Sequence, residues 1–192
     1  MNLSNSQKKI VSNVAWSLGG KAVNMASALF VGILVARYLG PESYGLMNYV
    51  ISYVAIFSII ATFGMDNIEI RELSRQNDKK DAIMGTCFCL RMFFATIAYI
   101  VIAISLFYFQ TDKFTSLMVL AYGLTLFTGT GNLLRNYFTS IVQNKYIVKS
   151  EMYRTFVGAG IKILLLWIKA PLEYFIYAQI FDTALVAGGY YL

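Results

Sequence analysis

Three long stretches of this chain carry no charge: Ser43 to Met65 (23 residues), Met92 to Thr111 (20 residues) and Phe114 to Leu134 (21 residues). A helix rises about 1.5 Å per residue and needs roughly 20 apolar residues to cross about 30 Å of hydrocarbon. Each stretch is long enough to span a bilayer as one helix. Outer-membrane strands would alternate polar and apolar residues over about ten positions, whereas these runs are continuously apolar. Three further stretches, near 14–38, 147–168 and 171–192, are apolar but interrupted by isolated charges. The expectation is an all-α, polytopic membrane protein with six transmembrane helices, at approximately 14–38, 44–64, 83–109, 115–137, 147–168 and 171–192. At about 21 residues each, they leave no room for a soluble domain in 192 residues, and 1–192 reads as a single membrane domain.

Composition agrees. The apolar set makes up 58% and charged residues 14%, against about 45–50% and roughly 25% in soluble domains. A soluble sphere of this size could not bury that surface and keep a solvated skin. Basic residues are distributed unevenly between alternate loops. Lys8, Lys9, Arg71, Arg75, Lys79, Lys80, Lys145, Lys149 and Arg154 fall on one side; Arg37, Lys113 and Lys169 fall on the other. The positive-inside bias then places the N-terminus, the basic loops and the C-terminal end in the cytoplasm. The net charge of +6 needs no nucleic acid, because those loops face anionic membrane lipid. Tyr38, Tyr44, Tyr49 and Phe107 to Phe109 fit an interfacial aromatic belt. Ala26 to Ala36 has the apolarity of a secretory leader, but the segment is long and continues into a helix-turn-helix, so it reads as the first span.

Catalytic readings close quickly. The chain has no histidine, so His-based metal sites and Ser-His-Asp machinery are absent. Cys87 and Cys89 point about 200° apart on a helix and cannot share an ion; they read as small apolar fillers. Gly20-Lys21 lacks the flanking residues of a phosphate loop, since Ala15 and Ala22 stand where Gly and Ser or Thr are needed. No metal, cofactor or enzyme activity is expected.

Polar residues inside the spans are costly there and mark functional candidates. Asn13, Ser17, Gly20, Asn24 and Ser27 form one stripe on the first helix, bordered by Lys21. Thr125, Gly129, Asn132, Asn136, Thr139 and Gln143 form a second on the fourth, edged by Arg135. Helix–helix hydrogen bonding is the plain alternative for the uncharged members; the functional expectation is a hydrated cavity lined by Asn13, Asn24, Asn132 and Asn136. Among the charges, Arg91, Lys162 and Asp182 lie deep in their spans, while Arg135 and Arg154 sit near cytoplasmic ends and can snorkel. A buried structural pair is the alternative for the deep three. Lys21, Arg91, Arg135, Arg154 and Lys162 against Asp182 make five cations to one carboxylate. Such a surplus suits an anionic ligand.

Ala36-Arg37-Tyr38-Leu39-Gly40-Pro41-Glu42-Ser43-Tyr44-Gly45 joins the first two helices, and Gly64-Met65-Asp66 leads into Arg71-Glu72-Leu73-Ser74-Arg75. Both segments resemble the start of the Wzx-type polysaccharide (O-antigen) flippases of the multidrug/oligosaccharidyl-lipid/polysaccharide exporter superfamily. Gly40-Pro41 cannot continue a helix, which fits the motif's place between spans. The resemblance covers the whole chain but only the N-terminal half of that family, whose members have two six-helix lobes; it implies one lobe of a longer transporter.

The resemblance further implies movement of an undecaprenyl-pyrophosphate-linked oligosaccharide from the cytoplasmic to the periplasmic leaflet by alternating access. Lys21, Arg91, Arg135, Arg154 and Lys162 would then bind the pyrophosphate head. Asp182 would couple to protons or serve as counter-ion to Lys162 or Arg91. Expected partners are the lipid-linked oligosaccharide, membrane lipid, and a second lobe, a second copy, or polymerase and glycosyltransferase proteins. Two rival readings are a multidrug or cation antiporter lobe, which would want more acidic sites, and a non-transporting scaffold of a polysaccharide-assembly complex.

Overall fold

The computed structural model describes residues 5–109, 112–141 and 144–189, and every described element is helical. The first, α1 (Asn5–Thr62), is two helices in series. Gly40 breaks it with φ 73° and ψ 173°, a backbone region occupied almost only by glycine. Pro41 follows; its ring disfavours helix at the preceding residue and suits the first position of a new one. The turn expected at Gly40-Pro41 is present and separates arms 5–39 and 41–62. A second reversal follows at Phe63 and Gly64, both left-handed with φ 46° and 66°.

Residues 66–81, expected to be a loop, form the short helix α2 (Asp66–Arg75) and a 3-10 turn at Asn77–Lys79. The helix is amphipathic. Asp66, Glu69 and Leu73 share one face at helical spacing, with Glu69 and Leu73 buried, while Arg71 and Arg75 are exposed. Acids in the first turn and Arg75 in the last also suit the helix dipole.

Next, α3 (Lys80–Tyr108) buries one stripe of Arg91, Ala95, Ala98, Ile102 and Leu106. The fourth expected span is segmented into α4 (Lys113–Gly123), α5 (Thr125–Thr128), a 3-10 turn (Gly129–Gly131) and α6 (Asn132–Ser140). Its segmentation has a local cause. Thr125, Thr128 and Thr130 turn their hydroxyls back onto the carbonyls of Tyr122, Thr125 and Phe127 at 2.7, 3.0 and 2.8 Å. Such bonds compete with the α-helical ladder, and the interspersed glycines do little to defend it. Finally, α7 (Asn144–Trp167) and α8 (Leu172–Gly189) form a hairpin. Its turn has Lys169 at φ 54°, with Ala170 N–H donating to the Leu165 carbonyl at 3.0 Å and Lys169 N–H to that of Leu166 at 3.2 Å. That pattern is a Schellman stop followed by Pro171.

Two poles result. At one, the Tyr38 hydroxyl donates to the Ala170 carbonyl at 3.1 Å, tying the Gly40 turn to the α7–α8 turn. At the other, Ser74 Oγ donates to the Ser140 carbonyl at 3.3 Å, tying α2 to the end of α6. The larger core joins Val50, Val54 and Ala61 of α1 to the α3 stripe, Met118, Val119 and Tyr122 of α4, and Leu172 and Ile176 of α8. A smaller one joins Val31 and Val35 to Leu165, Phe175 and Ala178.

Three described stretches are long and apolar enough to cross a membrane: Leu18–Arg75, Lys80–Tyr108 and Lys113–Ser140. The first runs through the Gly40 break. Outside this set, α7 is interrupted by Lys149, Glu151, Arg154 and Lys162, and α8 is 18 residues long with Glu173 and Asp182 within it. In the three stretches only 17%, 22% and 39% of the most apolar window is buried by protein. Phe107 and Trp167 are 88% and 87% exposed. So much outward apolar surface requires hydrocarbon around it.

Candidate functional site

A cleft of about 470 Å³ opens within the bundle. One wall is the second arm of α1 from Ile51 to Thr62, another the segmented stretch from Tyr122 to Arg135, and the rest comes from Arg91, Glu151, Arg154 and Thr183. It lies in the half toward the α2 pole, because α1 runs into the α2 turn just beyond Thr62 and Arg154 belongs to the first half of α7.

The best-made polar structure is at its edge. Arg91, 2% exposed, forks onto Glu69, 1% exposed. Arg91 Nε donates to Glu69 Oε1 at 2.7 Å and Nη2 to Oε2 at 2.8 Å. The same Nη2 donates to Asp66 Oδ1 at 2.5 Å. Asn136 Nδ2 completes the cluster, donating to Glu69 Oε2 at 2.7 Å and Asp66 Oδ1 at 3.0 Å. A planar guanidinium matches a carboxylate in this two-bond manner, which a lysine could not reproduce. Asp66 and Glu69 face Arg91 together because they are three apart on α2. The cluster binds α2, α3 and α6 to one another.

A second pair crosses the cleft more loosely. Arg135 Nε on α6 stands 3.4 Å from Glu151 Oε1 on α7, with the side chains 49% and 23% exposed. Arg154, one turn beyond Glu151, has a buried Nε with no hydrogen-bond partner among the described residues.

These positions sort the expected site residues. Arg91, Arg135, Arg154 and Asn132 line the cleft. Asn136 is buried, but in the Arg91 cluster. Lys162 and Asp182 lie outside the lining and pair with each other, Nζ to Oδ2 at 3.3 Å; the geometry brings Asp182 to Lys162 rather than to Arg91. Lys21 is exposed and outside the lining. Asn24 faces α7, where its Oδ1 accepts from Thr155 Oγ1 at 2.5 Å. Next to it Gly20 meets Val148 so closely that a Cβ would stand 2.6 Å from Cγ1. Gly20 and Asn24 of the first polar stripe thus meet α7. The Asn13 side chain and Gln143 lie outside the described residues.

The expected surplus of cations needs correction. Asp66, Glu69 and Glu151 were absent from that tally; Asp66 and Glu69 both pair with Arg91 and Glu151 pairs with Arg135, while Arg154 has no carboxylate partner among the described residues. The missed signal was spacing: Asp66-x-x-Glu69 puts two acids on one helical face just ahead of a span with a buried arginine.

Fold and cleft define the class: an all-helical membrane protein with a polar, charge-lined interior. Residues 10–192 match the polysaccharide biosynthesis protein family, and the chain belongs to it, the family of the Wzx-type flippases. No curated protein and no solved structure matches the chain. Membership supports a role in polysaccharide biosynthesis and export.

Proposed function

We propose that this chain is a six-crossing lobe of a transporter that flips an undecaprenyl-pyrophosphate-linked oligosaccharide across the bacterial cytoplasmic membrane. In this reading the crossings are the two arms of α1, then α3, α4 to α6, α7 and α8. The pole bearing Arg71, Arg75, Lys79 and Lys80 faces the cytoplasm together with the N-terminus, so the cleft opens toward the leaflet where the lipid-linked sugar is made. A second lobe or a second copy supplies the opposing wall, because alternating access needs two bodies rocking about a shared site. The chain works by binding and movement, without bond-making chemistry.

One observation carries the reading. Arg154 brings a buried guanidinium nitrogen without a hydrogen-bond partner among the described residues to a cleft whose other polar lining is Ser58, five threonines, Tyr122, Asn132, Arg91 and the loosely paired Arg135 and Glu151. A buried donor left unmade is costly, and a phosphate oxygen is the acceptor that an arginine meets best.

The test is surface glycan in the producing bacterium carrying Arg154→Ala. Loss of one charge-assisted bond, about 1.5–3 kcal/mol, should cut export roughly 10- to 100-fold while the protein accumulates normally in the membrane. Wild-type glycan in that strain would refute the assignment.

A further inference from the structure

The two arginine–carboxylate pairs around the cleft are built for different purposes. Arg91 and Glu69 are both almost wholly buried and joined by two short bonds. Arg135 and Glu151 have one contact at 3.4 Å, and Arg135 is half exposed. That separation lies outside the usual range of about 2.7–3.2 Å for N–H···O bonds. The pair is an attraction of charges without a directed bond, and it yields readily to a better partner.

Glu151 also shares the cleft with two arginines. Arg135 faces it from α6, and Arg154 follows three residues later on α7, on the same face and on the same cleft. A carboxylate at that point neutralises the site for which a phosphate-bearing headgroup would compete.

We propose that Glu151 is a resident counter-anion, holding Arg135 between headgroups and yielding it when one docks. This rests on reading the cleft as an anion site. With Glu151 displaced, Arg135 and Arg154 both turn to the headgroup; when the carboxylate returns to Arg135, it speeds the headgroup's departure. Glu151 is thus a positioning residue that trades tight binding for release, and it acts through Arg135.

Binding of inorganic pyrophosphate and, separately, of undecaprenyl diphosphate in detergent micelles tests this with purified wild-type protein, Glu151→Gln, Arg135→Gln and the double variant. Glu151→Gln should bind about two- to fivefold more tightly, the range of an exposed ion pair, and release more slowly. The tightening should vanish in the Arg135→Gln background. Tightening confined to the lipid probe supports the proposal and assigns the contact to a membrane-borne headgroup. Glu151→Ala carries the same expectation if Glu151→Gln does not fold. Unchanged or weaker binding by a folded Glu151 variant, with wild-type binding present, overturns the counter-anion role and leaves the anion cleft standing. Failure of wild-type protein to bind either probe overturns the cleft reading itself, and this inference with it.

Discussion

The Asp182 carboxylate rests against the bare backbone of Gly158: a Cβ added there would stand 2.6 Å from Oδ1 and 2.9 Å from Cγ. The other oxygen accepts from Lys162, so the carboxylate cannot retreat without loosening that pair. Gly158→Ala should cost about 1–3 kcal/mol, as overpacking of a fitted interior does. The cost should shrink in an Asp182→Ala background, because the two changes share one contact. Melting temperatures of the four proteins in one detergent measure this; equal penalties in both backgrounds would contradict the contact.

Arg91→Ala should destabilise the protein by about 3–5 kcal/mol, since it leaves the buried Glu69 without a counter-charge, held only by Asn136 among the described residues. Arg91→Lys should recover only part, having a point charge in place of a fork. Membrane accumulation and protease resistance are the readouts. An Arg91→Ala protein that is as stable as wild type yet inactive in export would return Arg91 to substrate binding.

Asn24→Ala removes one of the two acceptors that Thr155 has among the described residues, the one across the α1–α7 seam, leaving the Glu151 carbonyl at 2.8 Å. A loss of about 0.5–1.5 kcal/mol in stability is expected, with pyrophosphate binding unchanged. Weakened binding at undiminished stability would put Asn24 back on a cavity wall.

Asp112 caps α4, accepting from the Thr115 N–H at 2.9 Å. The Thr115 backbone and side chain hold its carboxyl below the ordinary range. A depressed carboxyl adds stability above its unfolded pKa and loses it as pH falls through the folded one. Asp112→Ala should therefore melt below wild type near neutral pH, and the gap should close in strong acid. A gap of constant size across that range would exclude the charged cap.

Much of the architecture was legible because it depends on local chemistry. Gly40-Pro41 and Gly64 mark reversals through backbone sterics alone, and the charge-free runs follow from what hydrocarbon tolerates. The helical identity of 66–75 was hidden by its polarity: an amphipathic helix of ten residues looks like a charged loop until its buried face has a known partner. The site was harder for the same reason. Arg91 was recognisable as deeply placed, but Glu69 lies 22 positions earlier, in a segment that charge counting assigned to solvent. Whether a polar stripe faces a cleft or a neighbouring helix is decided by tertiary contact, as Asn24 and Asn132 illustrate; the two read alike in sequence, yet one meets Thr155 and the other lines the cleft.

The bond from Tyr38 to Ala170 spans 132 positions, and this sets a timetable for biosynthesis. At a synthesis rate of about 5–20 residues per second, roughly 7–26 s separate the emergence of the two residues from the ribosome. For most of that interval the first arm of α1 is made while α7, which supplies Val148 against Gly20 and Thr155 against Asn24, is not. The helix synthesised first thus acquires its polar partners only when the fifth long segment arrives. Nascent chains stalled before residue 144 would present Asn24 and Gly20 to whatever insertion machinery shelters them.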